Sequence, residues 1–456
     1  MGPARTYPEH ASAILRLGLP LIGGHVAQIA FGLTDTIMLG WYSVDALAAV
    51  ALGSTLLYGL LVFGSGFAWA VMPMVASFDA EGDDTSVRRA TRMGLWLSVT
   101  FSLLTLPALI WSEPILRVMG QPETVARDVS VYLSIAGFGV MPALLVMVLK
   151  SYLAALERTQ VVLWMTLFGA FANAVANYML IFGNWGAPEL GIRGAAIASI
   201  VSQVVMLLGV ALYAQITLPQ HRLFKRLWRV DTQMLQRVFK LGWPIGLTAL
   251  SETGLFAASA IMMGWLGTVP LAAHGIAAQL TAVMFMVHMG LSNVATIRAG
   301  NAYGRSDPEQ MGRGALIVTL MSLGFAVVTV ILYLAIPEQL MALFLEQDDP
   351  RRAEIIAVGV GLLVVAALFQ LVDGAQVIAL GLLRGVQDTR MPMIYAAVSY
   401  WAIGIPCSYF FGFVLGFEGV GVWLGLVVGL AVAAFLLSTR FWMVALRGLK
   451  TSQAGV

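Results

Sequence analysis

Twelve stretches of about twenty residues or more run through this chain almost without charge, and a run of that length and polarity is what an α-helix needs to cross a bilayer. They fall at residues 13–39, 47–78, 93–111, 129–150, 161–183, 194–216, 234–266, 270–297, 314–336, 354–383, 392–415 and 419–446. No stretch between them is long enough for a soluble domain. The composition agrees: 59% of the 456 residues are hydrophobic and 11% charged, against about 25% charged in an average soluble domain. The first run is too long for a signal-peptide core and has no small-residue cleavage site, so it is expected to be the first helix of an all-α integral membrane protein. The single cysteine, Cys407, allows no internal disulfide and no cysteine-built metal site.

Positive charge orients the bundle. With the N-terminus placed inside, the tails and even-numbered loops, together with the span ends that border them, hold 21 of the 26 Lys and Arg residues, and basic residues gather on the cytoplasmic side. Both termini are therefore expected in the cytoplasm. The most basic loop, at 221–240, sits mid-chain and is read as a linker against the anionic inner leaflet, the competing reading being a partner-binding segment. The expected division is an N-lobe of residues 1–220, a basic linker at 221–233 and a C-lobe at 234–456. Nothing in the charge suggests nucleic acid.

The chain is also written twice. An offset of 224 residues lays LGLP (17–20) on LGWP (241–244) and MLGWYSVDALAA on MMGWLGTVPLAA. The same offset pairs Gly66 with Gly290, Asp83 with Asp307 and Arg89 with Arg313. Six spans separate the copies, so both enter the membrane in the same direction, giving two parallel six-helix lobes related by a pseudo-twofold along the membrane normal. Transporters built from such halves place their sites near mid-membrane, between or within the halves. Pro20 and Pro244 repeat each other and serve equally as a structural entry to the bilayer or a hinge.

Three acids lie well inside apolar runs: Asp35, Glu252 and Asp373. A carboxylate near the bilayer centre costs roughly 2.5–3.5 kcal/mol, so it needs a partner or a task. No Lys or Arg is expected at their depth inside the spans to pair with them. Burial disfavours the charged form of an acid, so such groups are candidates to take up a proton or a cation. Asp35 falls on Ser259 in the other half and Glu252 on Gln28, so the halves are not functionally identical. Asn173 and Asn177, four apart, share a helix face and can turn oxygens to a cation or hydrogen-bond an acid. Gln370 and Gln376 flank Asp373. Together with Gln28 and Phe369 they are candidates to line a substrate cavity. His25, His274 and His288 look isolated, and no nucleotide, nucleophile or zinc motif is present, so an enzyme is not expected.

With twelve spans in two parallel sixes, TDTIMLG early, FGNWGAPELGIRGAAIAS before helix 6, SETGLF opening the second half and LVDGAQVIALGLLRGVQDTRMP in helix 10, the chain resembles the multidrug and toxic compound extrusion (MATE) family, specifically its NorM-like bacterial branch. The resemblance implies an N-lobe proton or cation site at Asp35, Asn173, Asn177 and the helix 6 hydroxyl Ser199, and a C-lobe site at Glu252 and Asp373. Phe369 stands where some relatives carry a tyrosine, which removes a phenol oxygen from the C-lobe set and leaves proton coupling open. The implied activity is secondary efflux of drugs and dyes, often amphipathic cations, against protons or sodium by alternating access. A bound sodium ion is the one non-protein component implied, and a lipid-embedded monomer in the bacterial inner membrane is the implied setting. The alternative weighed is a flippase for lipid-linked or polysaccharide precursors.

Overall fold

The computed structural model describes residues 6–454. Twelve long helices carry the chain: α1 Tyr7–Tyr42, α2 Ala46–Glu81, α3 Asp84–Ile110, α4 Glu123–Ala155, α5 Thr159–Phe182, α6 Ile192–Thr217, α7 Thr232–Leu266, α8 Thr268–Gly304, α9 Pro308–Ala335, α10 Arg352–Gly385, α11 Arg390–Val414 and α12 Glu418–Thr451. All are long and apolar enough to span a membrane, and the described residues contain no strand. Most outrun the apolar windows by a turn or more, because polar flanking residues cap and continue them. On α9 the residues Leu316, Leu320, Leu323, Val327, Ile331 and Leu334 are exposed along one stripe, a contiguous apolar face.

The repeat is built into the backbone. α2 ends on Gly82 in the left-handed region (φ 76°), and the next residue, Asp83, caps α3 by accepting from Ser86 N at 3.0 Å. In the second half Ser306 takes the same left-handed turn (φ 53°) and Asp307 caps α9 by accepting from Gln310 N at 3.0 Å. A side-chain oxygen in this place satisfies a helix-end N–H that has no partner within the helix. Short helices the sequence did not announce, Ser112–Val118 and Pro337–Ala342, sit in equivalent connections of the two halves.

The compact units differ from the expected lobes of 1–220 and 234–456. One unit is residues 23–246; the other is residues 1–22 with 247–456. The cuts fall inside α1 and α7, at positions that are themselves 224 residues apart, a few residues beyond Pro20 and Pro244. The physical cause is close helix approach. Gly66 on α2 lies so near Gly242 and Gly246 on α7 that any Cβ there would collide with their backbones, and Gly290 on α8 lies equally near Ile22 on α1. Each half's first helix begins on the bundle of the other half, so connectivity and packing do not coincide. Within the second unit, Ser292 and Thr296 of α8 donate to the carbonyls of Val377 (2.7 Å) and Gly381 (2.9 Å), tying α8 to α10.

The basic linker is pinned rather than loose. Arg92 of α3 donates to the carbonyls of Leu223 (2.6 Å), Arg222 (2.6 Å) and Lys225, and Trp96 donates to Leu227 O at 2.7 Å. Arg89 forms an ion pair with Asp231. His221 is buried between Tyr152, at 2.5 Å, and Asp84, at 3.3 Å. Positions 89, 92 and 96 share a face of α3, which is why one helix can hold so much of the loop. Arg226, Trp228 and Arg229 are left exposed on the outer side.

Two outcomes follow from these contacts. Gly290→Val forces α8 off α1 and is expected to cost about 1–3 kcal/mol, read as a lower melting temperature in detergent, whereas Gly275→Val, with open space at its Cβ position, leaves it nearly unchanged. The hydrogen bond from Arg89 holds the Asp231 carboxyl below the usual carboxylate range. A carboxyl whose pKa falls on folding stabilises the native state above its unfolded value of about 3.9, and that stabilisation is lost as pH drops through the lower native value. Asp231→Asn therefore lowers thermal stability at neutral pH, and the gap to the unmodified protein closes as the solution is acidified below about pH 3.9.

Candidate functional site

The unit spanning 23–246 brings together the four residues expected of its site. Asp35 comes from the last third of α1, Asn173 and Asn177 from successive turns of α5, and Ser199 from the first half of α6. Asn177 Nδ2 donates to Asp35 Oδ1 and, at 3.2 Å, to Asn173 Oδ1, so both its hydrogens are used. Ser199 Oγ donates to the other carboxylate oxygen at 3.4 Å. Both asparagines are fully buried, and Asn177 Oδ1 and Asn173 Nδ2 have no hydrogen-bond partner among the described residues. Thr34 and Thr36, either side of the acid, bond back to the carbonyls of Ala30 and Gly32 and take no part.

This arrangement replaces water around a carboxylate with side-chain dipoles. Three polar side chains from two neighbouring helices gather at one acid, and the spare carboxamide oxygen of Asn177 is available to a proton-bearing or cationic species drawn to Asp35. Tyr132 of α4, hydrogen-bonded by Ser54 at 3.2 Å, lies within electrostatic range of Asp35. Nothing in the sequence pointed to it.

The second unit holds the other two acids, and here an expectation fails. Glu252 of α7 and Asp373 of α10 were read as lacking a basic neighbour, but Arg384 of α10 acts electrostatically on Glu252, which in turn faces Asp373. Arg384 lies just past the apolar window at 354–383. α10 in fact continues to Gly385. Eleven residues is close to three full turns, so Arg384 shares a face with Asp373 and its long side chain reaches back along the helix. Tyr400 of α11 completes the group, accepting a hydrogen bond from Gln376 Nε2. Helical spacing could have found Arg384; Tyr400 carried no such signal. Lys150, the last residue of the expected span 129–150, lies within α4 and donates to Thr166 Oγ1 of α5 at 2.8 Å.

The cavity candidates separate. Gln28 is exposed on α1, two turns before Asp35. Phe369, Gln370 and Gln376 are fully buried inside their unit and line no open surface. Phe369 packs edge-on against Phe256 (5.9 Å) and Trp423 (5.6 Å), so the phenol missing at 369 is replaced by ring packing, and the hydroxyl near the acids comes from Tyr400.

Comparison with known proteins agrees with this architecture. The chain is 45% identical over 442 residues to a protein of Rhizobium meliloti named "Probable multidrug resistance protein NorM", covering 96% of this chain and 94% of that one. It is 42% identical to a protein of the same name from Agrobacterium fabrum, covering 98% and 96%. Among solved structures it superposes with a TM-score of 0.86, at 20% identity, on "Crystal structure of MATE in the bent conformation", covering 98% of this chain and 97% of that one. "Outward-facing conformation of a multidrug resistance MATE family transporter of the MOP superfamily" aligns with a TM-score of 0.84 at 21% identity, covering 97% of both chains. The family pattern MatE matches twice, at residues 20–179 and 244–410, and the two matches start 224 residues apart. With twelve membrane-length helices, an offset matching that of its own internal repeat and relatives of 45% identity along nearly its whole length, this chain is a multi-pass membrane protein of the MatE family.

Proposed function

We propose that the protein is a secondary multidrug efflux antiporter: it exports amphipathic organic compounds, many of them cationic, in exchange for protons or sodium by alternating access. Its setting would be the bacterial inner membrane with both termini in the cytoplasm, as the loop charges suggest. The observation that carries this reading is a carboxylate within a membrane-length helix, Asp35, held by Asn177 and Ser199 with Asn173 behind them and, among the described residues, by no basic side chain in hydrogen-bond contact. Such a group changes charge when it takes up a cation or proton, and a change of charge inside the bilayer biases which conformation is favoured. The names of the curated relatives support the substrate class.

The energetics are adequate without ATP. A monovalent cation entering down ~100 mV releases about 2.3 kcal/mol, and one pH unit or its sodium equivalent adds about 1.4 kcal/mol. For an uncharged compound exchanged one for one, these sustain a gradient of roughly five hundredfold. For a singly charged drug cation the electrical parts cancel, and about tenfold remains.

In the second unit the positive charge of Arg384 already faces Glu252. A fixed cation in that place opposes uptake of a proton and of a second cation at Glu252 alike, so it does not choose between the two ions. The flippase alternative requires surplus positive charge for an anionic headgroup. Arg384 is matched by two acids, which argues against it.

Asp35→Asn keeps the shape of the side chain and removes its charge. Dye efflux from a drug-sensitive host is expected to fall to the vector background at unchanged expression; retained efflux refutes the role of Asp35. Glu252→Gln and Asp373→Asn are each expected to slow ion-driven efflux by about tenfold or more, a loss of about 1.4 kcal/mol, in proteoliposomes with proton and sodium gradients imposed separately. Full efflux by both variants would remove the second unit from coupling.

A further inference from the structure

The histidines look isolated in the sequence, yet His288 is not isolated in the fold. It is fully buried on α8, with Nδ1 2.7 Å from Ser322 Oγ of α9 and its ring edge-on to Phe325 at 5.4 Å. It also rests against the backbone of α10 beside the coupling acid. A Cβ added at Gly374, the residue after Asp373, would lie 2.8 Å from His288 Cε1 and 3.2 Å from Nε2. Glycine at 374 is what admits the ring.

Nε2 of His288 has no hydrogen-bond partner among the described residues, and two more open polar atoms lie with it. Gln370, one turn before Asp373, donates Nε2 to Thr281 O at 3.2 Å and faces His288, while its Oε1 is unpartnered. The Tyr333 hydroxyl of α9 faces Gln370 and Thr281 and is also unpartnered. All three side chains are fully buried, and they come from α8, α9 and α10 of the same unit. The open atoms face one another across three helices, so small side-chain rotations are enough to join them in one hydrogen-bonded row.

These groups are ordered in depth. Tyr333 is two residues from the end of α9 at Ala335, on the face that the loop charges place outside. Thr281 lies seven residues before His288 on α8, about 10 Å along the helix. The row therefore steps inward: Tyr333, Gln370, His288, Asp373. We propose that it is a proton route inside the second unit, leading from the outer end of α9 to Asp373. This rests on the antiport reading above. A hydronium ion admitted from the outer side and held by the Tyr333 hydroxyl and Gln370 Oε1 gives a proton to His288 Nε2 and is left as water, so one O–H bond breaks as one N–H bond forms. The proton is then given up to the Asp373 carboxylate, so one N–H bond is exchanged for one O–H and the imidazole returns to its starting form. Gln370 orders the chain and is never itself protonated. The titratable groups facing this row are Tyr333 from α9 and Asp373 from α10, with Glu252, Tyr400 and Arg384 grouped beyond Asp373.

The test compares two measurements in proteoliposomes: net tetraphenylphosphonium efflux driven by an imposed proton gradient, and tetraphenylphosphonium exchange at equal pH on both sides. Exchange needs binding and conformational switching but no net proton delivery. His288→Gln is expected to slow net efflux by about tenfold or more with exchange unchanged, and Tyr333→Phe and Gln370→Leu act in the same direction. An equal loss in both measurements would mean that the residues only hold the helices together, and would overturn the route. So would unchanged net efflux in all three variants, or an unmodified protein driven by sodium alone. An unmodified protein driven by neither ion would instead refute the antiport reading itself.

Discussion

A carboxylate in hydrocarbon has no water to hold it, and that single constraint shapes both units. In the first, the answer is dipoles. Asn177 spends both amide hydrogens, one on Asp35 and one on Asn173, and Ser199 supplies the remaining donor. For this to work α1, α5 and α6 must meet at one depth, so the acid dictates the helix packing around it. In the second, the answer is charge. Arg384 reaches back along α10 toward Glu252, and Asp373 sits beside that pair. The two solutions differ in what they leave for a ligand. Dipoles can rotate to accept an incoming cation or proton, whereas a fixed guanidinium keeps part of the negative charge permanently balanced.

Much of the fold was legible because its signals are local or strictly periodic. Span length and polarity located the twelve helices, and one constant offset revealed the repeat, whose matched aspartates 83 and 307 turn out to be helix caps. Asn173 and Asn177 were found because four residues make about one turn. What escaped depends on where long side chains go and on which helices touch. Lys150 and Arg384 stand at and just past the edge of the apolar window that hydropathy marks, while the helices run on beyond it. Tyr132, Tyr400 and His288 acquire meaning only from neighbours on other helices. The glutamines at 370 and 376 were read as cavity lining, since a polar stripe on an isolated helix does not reveal which way it faces.

The halves share a backbone and diverge in chemistry. Left-handed turns, capping aspartates, short connecting helices and crossed first helices all recur. Asp35 has Ser259 as its counterpart, and Ser259 does no more than bond back to its own helix at Phe256 O. Duplication thus preserved what sets geometry and released what sets charge. A repeat of this kind reports architecture faithfully and reports function only where the chemistry was kept.

The exchange of first helices has a consequence for biosynthesis. The unit of residues 23–246 borrows the opening turns of α7, so six helices emerging from the ribosome do not complete it; the packing partner of Gly66 arrives only with Gly242 and Gly246. The opening turns of α1, made first, wait for Gly290 before they find their place. More than half of the chain must therefore be made before the opening turns of α1 meet their packing partner.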